Sequence, residues 1–425
     1  MQNNLQKIFI LLSFIFLINL NAQNVTTIAG STLGFADGVG TAAQFYHPES
    51  LAMDAVGNIF VADTYNNRIR KITPAGMVTT FAGSIPGYVD GTGSAAEFNN
   101  PTGIAVDASG NVYVADNYNN CIRKITASAV VSTFAGSLQG YVDGIGIAAR
   151  FSGPHGLAVD VAGNVFVSDK FNMRIRKITP TGVVSTFAGS TAGFADGTGT
   201  AALFNSPCGI AVDHQGNVYV GDLLNYCIRK ITADQVVTTL AGNGTSGYVD
   251  GTGTTAQFTF PVGVSVDLQG NVFVSDQGNH RIRKINAAGV VSTIAGGTQG
   301  NLDGMGTEAK FNNPHGVATD AAGIIFVADW GNNLIRKITV DLGIDNYLQN
   351  QLSVYPNPAS SIINIELKES RAGKIILYDC NGRVLESENL TDNRHLIDIS
   401  NFANGFYLLQ ITSDKGTISK RIVKQ

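Results

Sequence analysis

The chain has 425 residues, a formal net charge of −4 and a pI near 5.9, so it lacks the basic footprint that nucleic acid or an anionic membrane demands. Glycine is abundant, at 49 residues, and charged residues make up only 14%, a composition suited to many tight turns between buried strands. The length exceeds one small domain and allows a large core plus a second module.

The chain opens with "MQNNLQKIFILLSFIFLINLNAQ". Lys7 is its single charge, Ile8 to Leu20 form an apolar core, and Leu20-Asn21-Ala22 ends in small residues. Residues 1–22 are therefore expected to be a signal peptide that exports the protein. The apolar run falls short of the roughly 20 residues of a membrane span, and no other segment is apolar enough, so no transmembrane segment is expected. Four cysteines (Cys121, Cys208, Cys227 and Cys380) could pair in an exported protein, but their positions do not form a framework, and free thiols are expected.

Residues 24–30, "NVTTIAG", match a phrase that later ends each of a series of repeats. The repeats are marked by "GNIFVAD" ending at Asp63, and by its copies ending at Asp116, Asp169, Asp222, Asp276 and Asp329, at spacings of 53 or 54 residues. Self-similarity of this kind signals a repeat architecture. Each unit holds four strand-like runs, such as "TGIAVD", "NVYVAD", "CIRKI" and "VVSTFAG", rich in Val, Ile, Phe and Tyr and bounded by Gly, Asn and Asp. Four antiparallel strands per unit describe a blade of a β-propeller, and six copies predict six blades. The sixth copy stops at "LIRKITV" (334–340) without an outer strand. Residues 24–30 are expected to supply it and so close the ring over residues 23–340.

The Pro-x-Gly-[apolar]-Ala-Val-Asp opening, the Gly-Asn-x-[aromatic]-Val-[small]-Asp strand and the Asn-x-x-Ile-Arg third strand resemble NHL-repeat propellers. That resemblance implies the fold. For function it implies either a binding platform or, in a few relatives, a metal-dependent lyase or lactonase.

A linker is expected at 341–351, and residues 352–425 depart from the repeat. Alternating apolar residues and an Asn-Gly turn suggest a small all-β, Ig-like or Greek-key sandwich. Tyr355-Pro356-Asn357-Pro358, Tyr378-Asp379-x-Asn381-Gly382-Arg383, Gly405-Phe406-Tyr407 and the basic terminus resemble the C-terminal sorting domain of the type IX secretion system of Bacteroidota. The resemblance implies that the secretion machinery is a partner and that the protein is secreted or held at the cell surface.

Functional residues are expected on the propeller face that carries the Pro-x-Gly starts. Around the ring the middle position reads Glu49, Thr102, His155, Cys208, Val262 and His315. Two imidazoles, a thiol and a carboxylate are candidate donors for a divalent metal at the mouth of the central channel, with His155 and His315 the foremost ligands. The competing expectation is that these histidines only hold the strand starts through backbone hydrogen bonds. The lyases of the resemblance hold their metal with three histidines, and the lactonases use several acidic and Asn ligands; this ring matches neither set.

Tyr65, Tyr118, Phe171 and Trp330 lie between the strand-ending Asp and the following Asn of four blades, and are expected on the same rim. Exposed aromatics there suit sugar rings or partner side chains. The six strand-ending Asp residues are expected to tie turns, the Arg of each "IRKI" to flank its strand and pair with acids, and the Phe ending each "DGxGxxAxF" loop to fill the gap between blades. No Ser-His-Asp order, HExxH or CxxC is present, so no catalytic residue is nominated. The expected protein is a monomeric, exported binding or scaffold module for a protein or carbohydrate ligand, with a metal-dependent lyase or lactonase as the alternative.

Overall fold

The computed structural model describes residues 23–340, 352–367, 373–379, 383–390, 392–413 and 416–425. The expected signal peptide, the linker at 341–351, and Cys380, Asn381 and Gly382 lie outside the described residues. The chain divides into two compact units, of which one is residues 23–340. Among the described residues no helix is long and apolar enough to cross a membrane.

In residues 23–340 the strands form six five-stranded sheets. The first blade runs outward through Pro48–Met53, Ile59–Asp63, Arg68–Ile72 and Met77–Gly83, each antiparallel to the last. The innermost strands of the other blades are Pro101–Val106, Pro154–Val159, Pro207–Val212, Pro261–Val266 and Pro314–Thr319. Each touches the next and the sixth touches the first, so they line a closed ring. The ring is a β-propeller.

Ile59–Asp63 is buried at every position because both faces of the second strand are covered by neighbouring blades. The turn before it is held by Asp54, whose Oδ1 accepts the Val56 and Asn58 amides, with Gly57 at φ 86° where a side chain would be strained. At the ring's narrowest part the inner strands leave no room for a side chain. A Cβ on Gly156 would lie 2.2 Å from the Cys208 carbonyl oxygen.

The sixth sheet is made from both ends of the unit. Gln23–Gly30 lies between Leu334–Val340 and Gly304–Met305, with Val25 opposite Ile338 and Thr27 opposite Arg336. Val25 and Ala29 are fully buried there.

The fifth strand of each sheet departs from the four-strand expectation. Gly91–Thr92, in the loop leading into the second blade, pairs with Val130 and Val131 of that blade's outer strand. The loop thus begins and ends at the Pro-x-Gly face but descends along the outside to the opposite end. Its two-residue strand covers an edge that would otherwise expose unpaired backbone groups.

One bracket recurs in every blade and corrects the expectation that the arginines flank their strands. In the second blade Arg123 is fully buried and donates to Asp116 at 2.8 Å and to Asp90 at 2.6 Å. It also donates to the Val89 and Glu97 carbonyls, with its guanidinium 5.2 Å from the centre of the Phe98 ring. Asp116 accepts in addition from Asn119 and from the Asn99 amide. The same bracket is built on Arg70, Arg176, Arg229, Arg283 and Arg336. It ties the descending loop, the second strand and the third strand together. The loop-ending Phe residues are fully buried, and Phe151 packs among Ile122 of one blade and Leu157 and Val165 of the next.

The C-terminal unit is also all β. Leu352–Tyr355, Ile362–Leu367 and Arg394–Asp398 form one sheet. Val384–Leu390, Gly373–Tyr378, Gly405–Ser413 and Gly416–Lys424 form the other. Ile363, Leu377, Leu409 and Ile422 are among its buried core residues, consistent with a sandwich.

Candidate binding site at one end of the channel

The inner strands enclose a channel of about 290 Å³, lined from Ser50–Met53 round to Gly316–Thr319. The residue after each strand-opening Pro stands at one end of it, beyond the lining residues. Six side chains converge there, and they do not behave alike.

Glu49 lies between two histidines that come from the third and sixth blades. Its Oε1 is 2.9 Å from His315 Nδ1 and 3.3 Å from His155 Nε2. All three side chains are only 11–12% exposed. Burial opposes charge on Glu49, but the two imidazoles and their hydrogen bonds win and hold its carboxyl well below the usual carboxylate range. Burial, with the Lys170 ammonium nearby, pushes the His155 imidazole below its ordinary value. The cluster is thus a carboxylate accepting from imidazole N–H groups. His315 Nε2 is buried and has no hydrogen-bond partner among the described residues.

The other three positions serve differently. Thr102 donates to the carbonyls of Pro154 and His155 and so steadies the neighbouring strand start. Cys208 is buried, and burial pushes its thiol up to about 11 despite the adjacent Lys170, so it is no thiolate at neutral pH. Val262 is buried and apolar. Cys121, Cys208 and Cys227 are free thiols.

The aromatic residues split into two groups. Trp330 is sandwiched: His47 stacks on it at 3.8 Å between ring centres and His315 at 5.1 Å. His47 Nδ1 also donates to the Trp330 carbonyl. Tyr65 packs edge-on against both His47 and Tyr46 beside this stack. Tyr118 and Phe171 stand out from the surface at 64% and 59% exposure, with Tyr65 at 45%.

Two residues of this end escaped the sequence reading. Lys170 is the one charged residue among the pairs between the strand-ending Asp and Asn, and that oddity was the available signal. His47 carried a weaker one. It precedes Pro48 in a left-handed conformation, φ 54°, at a position filled by Asn, Gly, Ser and Phe in the other blades.

The fit to a metal is poor. One carboxylate oxygen accepts from both imidazoles, and Cys208 is a protonated thiol. Among the described residues no group of three or more His, Cys, Asp and Glu side chains is arranged to hold an ion.

Residues 45–72, 98–125, 151–178, 258–285 and 311–338 match the NHL repeat, and residues 353–425 match the secretion system C-terminal sorting domain. The fourth blade has the same strands without such a match. NHL repeat-containing protein 2 of Bos taurus is 29% identical over 340 residues, which cover 69% of this chain and 46% of that protein. Protein SUPPRESSOR OF QUENCHING 1, chloroplastic, of Arabidopsis thaliana is 28% identical over 361 residues, 78% of this chain and 34% of its own length. This chain therefore spans less than half the length of these curated relatives. Among solved structures, a Bacteroides thetaiotaomicron protein of unknown function has a TM-score of 0.60 at 22% identity, covering 75% of this chain and 76% of its own. An auxiliary nutrient binding protein of the same organism has a TM-score of 0.58 at 17% identity, with the same coverage. At these identities the likeness is one of fold.

Proposed function

We propose that this chain, an NHL-repeat β-propeller followed by a type IX secretion sorting domain, works outside the cell as a binding module whose ligand docks over the Glu49–His155–His315 end of the channel. The observation that carries this reading is the polar cluster itself. It is assembled from three different blades, it is not repeated, and it leaves His315 Nε2 buried and without a partner among the described residues. Buried polar atoms are normally paired, so this end is suited to receive a hydrogen-bonding group. Tyr118, Phe171 and Tyr65 offer exposed rings beside it, a combination that suits a sugar or a protein side chain.

The test is binding of the full chain to an array of purified glycans and peptides, beside a Glu49→Thr/His155→Thr/His315→Thr variant that repeats the Thr102 solution at the other positions. Binding by the parent and loss in the variant is expected. Equal binding by both, or none by the parent, would count against the site.

The lyase or lactonase alternative would have to draw its metal ligands from the same two imidazoles and carboxylate, which here bond to one another at 2.9 and 3.3 Å. Metal content by mass spectrometry of the same two proteins separates the readings. About one ion per chain, absent from the variant, would replace the binding module with a metal centre.

A further inference from the structure

The opposite end of the propeller carries the turns that join first and second strands. Their backbones are alike: Asp213 Oδ1 accepts the Gln215 and Asn217 amides, and Asp267 Oδ1 accepts those of Gln269 and Asn271. Their tips are not alike. Four blades carry small or short residues, Ala55-Val56, Ala108-Ser109, Val161-Ala162 and Ala321-Ala322. The fourth and fifth blades, which are neighbours, carry His214-Gln215 and Leu268-Gln269. The turn needs only its Asp and Gly, so four large side chains on two adjacent exposed tips answer no demand of the fold.

Between these two tips lies a cavity of about 240 Å³. His214, Gln215 and Gln269 line it with polar side chains, and Leu240, Leu268 and Val272 line it with apolar ones. Tyr219 donates to Asp213 at 3.0 Å, and burial together with that carboxylate raises its phenol, which stays protonated. The Lys230 ammonium sits 5.6 Å from the centre of the Tyr219 ring.

We infer that this cavity between the fourth and fifth blades is a second binding site, for a single neutral sugar ring. Two aspartates and one lysine line it, a balance that disfavours an anion. The Gln215 and Gln269 side chains make no hydrogen bond among the described residues, and each offers both a donor and an acceptor. Amides and apolar side chains lining one small cavity suit the hydroxyls of a sugar ring and the C–H groups on its face. The volume is below the roughly 300–1,000 Å³ of sites for drug-sized ligands, so it takes one ring and not an extended chain. This site lies at the end of the ring remote from Glu49, and the two proposals stand or fall separately.

The test is saturation-transfer NMR on the full chain with glucose, galactose, mannose and N-acetylglucosamine at millimolar concentration. Gln215→Ala/Gln269→Ala changes exposed side chains and keeps the backbone bonds of both turns. Transfer to one or more sugars is expected to remain in Glu49→Thr/His155→Thr/His315→Thr, with affinity reduced about tenfold or more when Gln215→Ala/Gln269→Ala is added to it. Absence of transfer from all four sugars would overturn the proposal. So would transfer in the threonine variant, whose Glu49 end is removed, that survives the addition of Gln215→Ala/Gln269→Ala.

Discussion

The Arg bracket and the Pro-x-Gly ring lie within the same blades and obey opposite rules. The bracket has the same chemistry six times: a fully buried arginine between a buried and a half-exposed aspartate. The ring has Glu, Thr, His, Cys, Val and His in equivalent places. The bracket solves a problem internal to each blade, since a descending loop must be tied to two strands at one point. Any blade that lost it would bury a charge without a partner. The ring positions meet neighbours across the axis, where six blades create one environment. The six blades form the same strands with five different residue types there, and so this is where residues of different chemistry are brought together.

The largest break in this scheme is predicted for ring closure. Deleting residues 23–30 from the full chain removes the strand between Leu334–Val340 and Gly304–Met305. The propeller is expected to lose its cooperative unfolding transition in a circular-dichroism melt. An unchanged midpoint would mean that the ring holds without that strand.

Next in size is the bracket. Arg123→Met leaves Asp116 buried without its cation, and a loss of about 3–5 kcal/mol is expected from guanidinium denaturation at pH 7. Even with Arg123 in place, burial pushes Asp116 up to about 6. Without the cation its folded-state value rises further above the unfolded value near 4. A carboxyl raised in this way contributes stability at low pH that is lost as pH rises through the folded value. The deficit of the variant is therefore expected to shrink between pH 7 and pH 5, and a constant deficit would contradict the burial argument.

A smaller effect is expected at the ring. Glu49→Gln should cost about 1–2 kcal/mol at pH 7, because the charge-assisted bonds to two imidazoles become neutral ones. Glu49 is depressed in the fold, so its contribution is present above the unfolded carboxylate value and lost as pH falls through the folded one. The gap between parent and variant should persist down to about pH 4 and close below it. A gap that closes well above pH 4 would contradict the depressed Glu49 carboxyl.

The 53-residue spacing made the propeller legible, because each blade repeats the same buried strands and turn residues in register. The sandwich was legible from alternation and from the phrases that resemble a sorting domain. The fifth strand was not, since Gly91–Thr92 is only two residues long, opens on a glycine, and finds its partner in the outer strand of the blade that follows. The depth of Arg123 was hidden for a related reason: Asp90 lies 33 residues earlier, in a loop that reads as a turn. At the ring, the identities of Glu49, His155 and His315 were readable but their meeting was not. His315 and Glu49 are 266 residues apart and touch only because the ring closes. Lys170 and His47 were hidden because their importance comes from neighbouring blades.

The most direct test of the division between repeated and unrepeated positions is guanidinium denaturation of Glu49→Thr/His155→Thr/His315→Thr beside Arg123→Met. Removing all three polar partners together leaves no orphaned charge at the ring, so a cooperative transition within about 2 kcal/mol of the parent is expected. Arg123→Met should lose about 3–5 kcal/mol in the same experiment. If the threonine variant instead loses as much as Arg123→Met, then the Glu49 cluster holds the ring together, and its claim to be a ligand site falls.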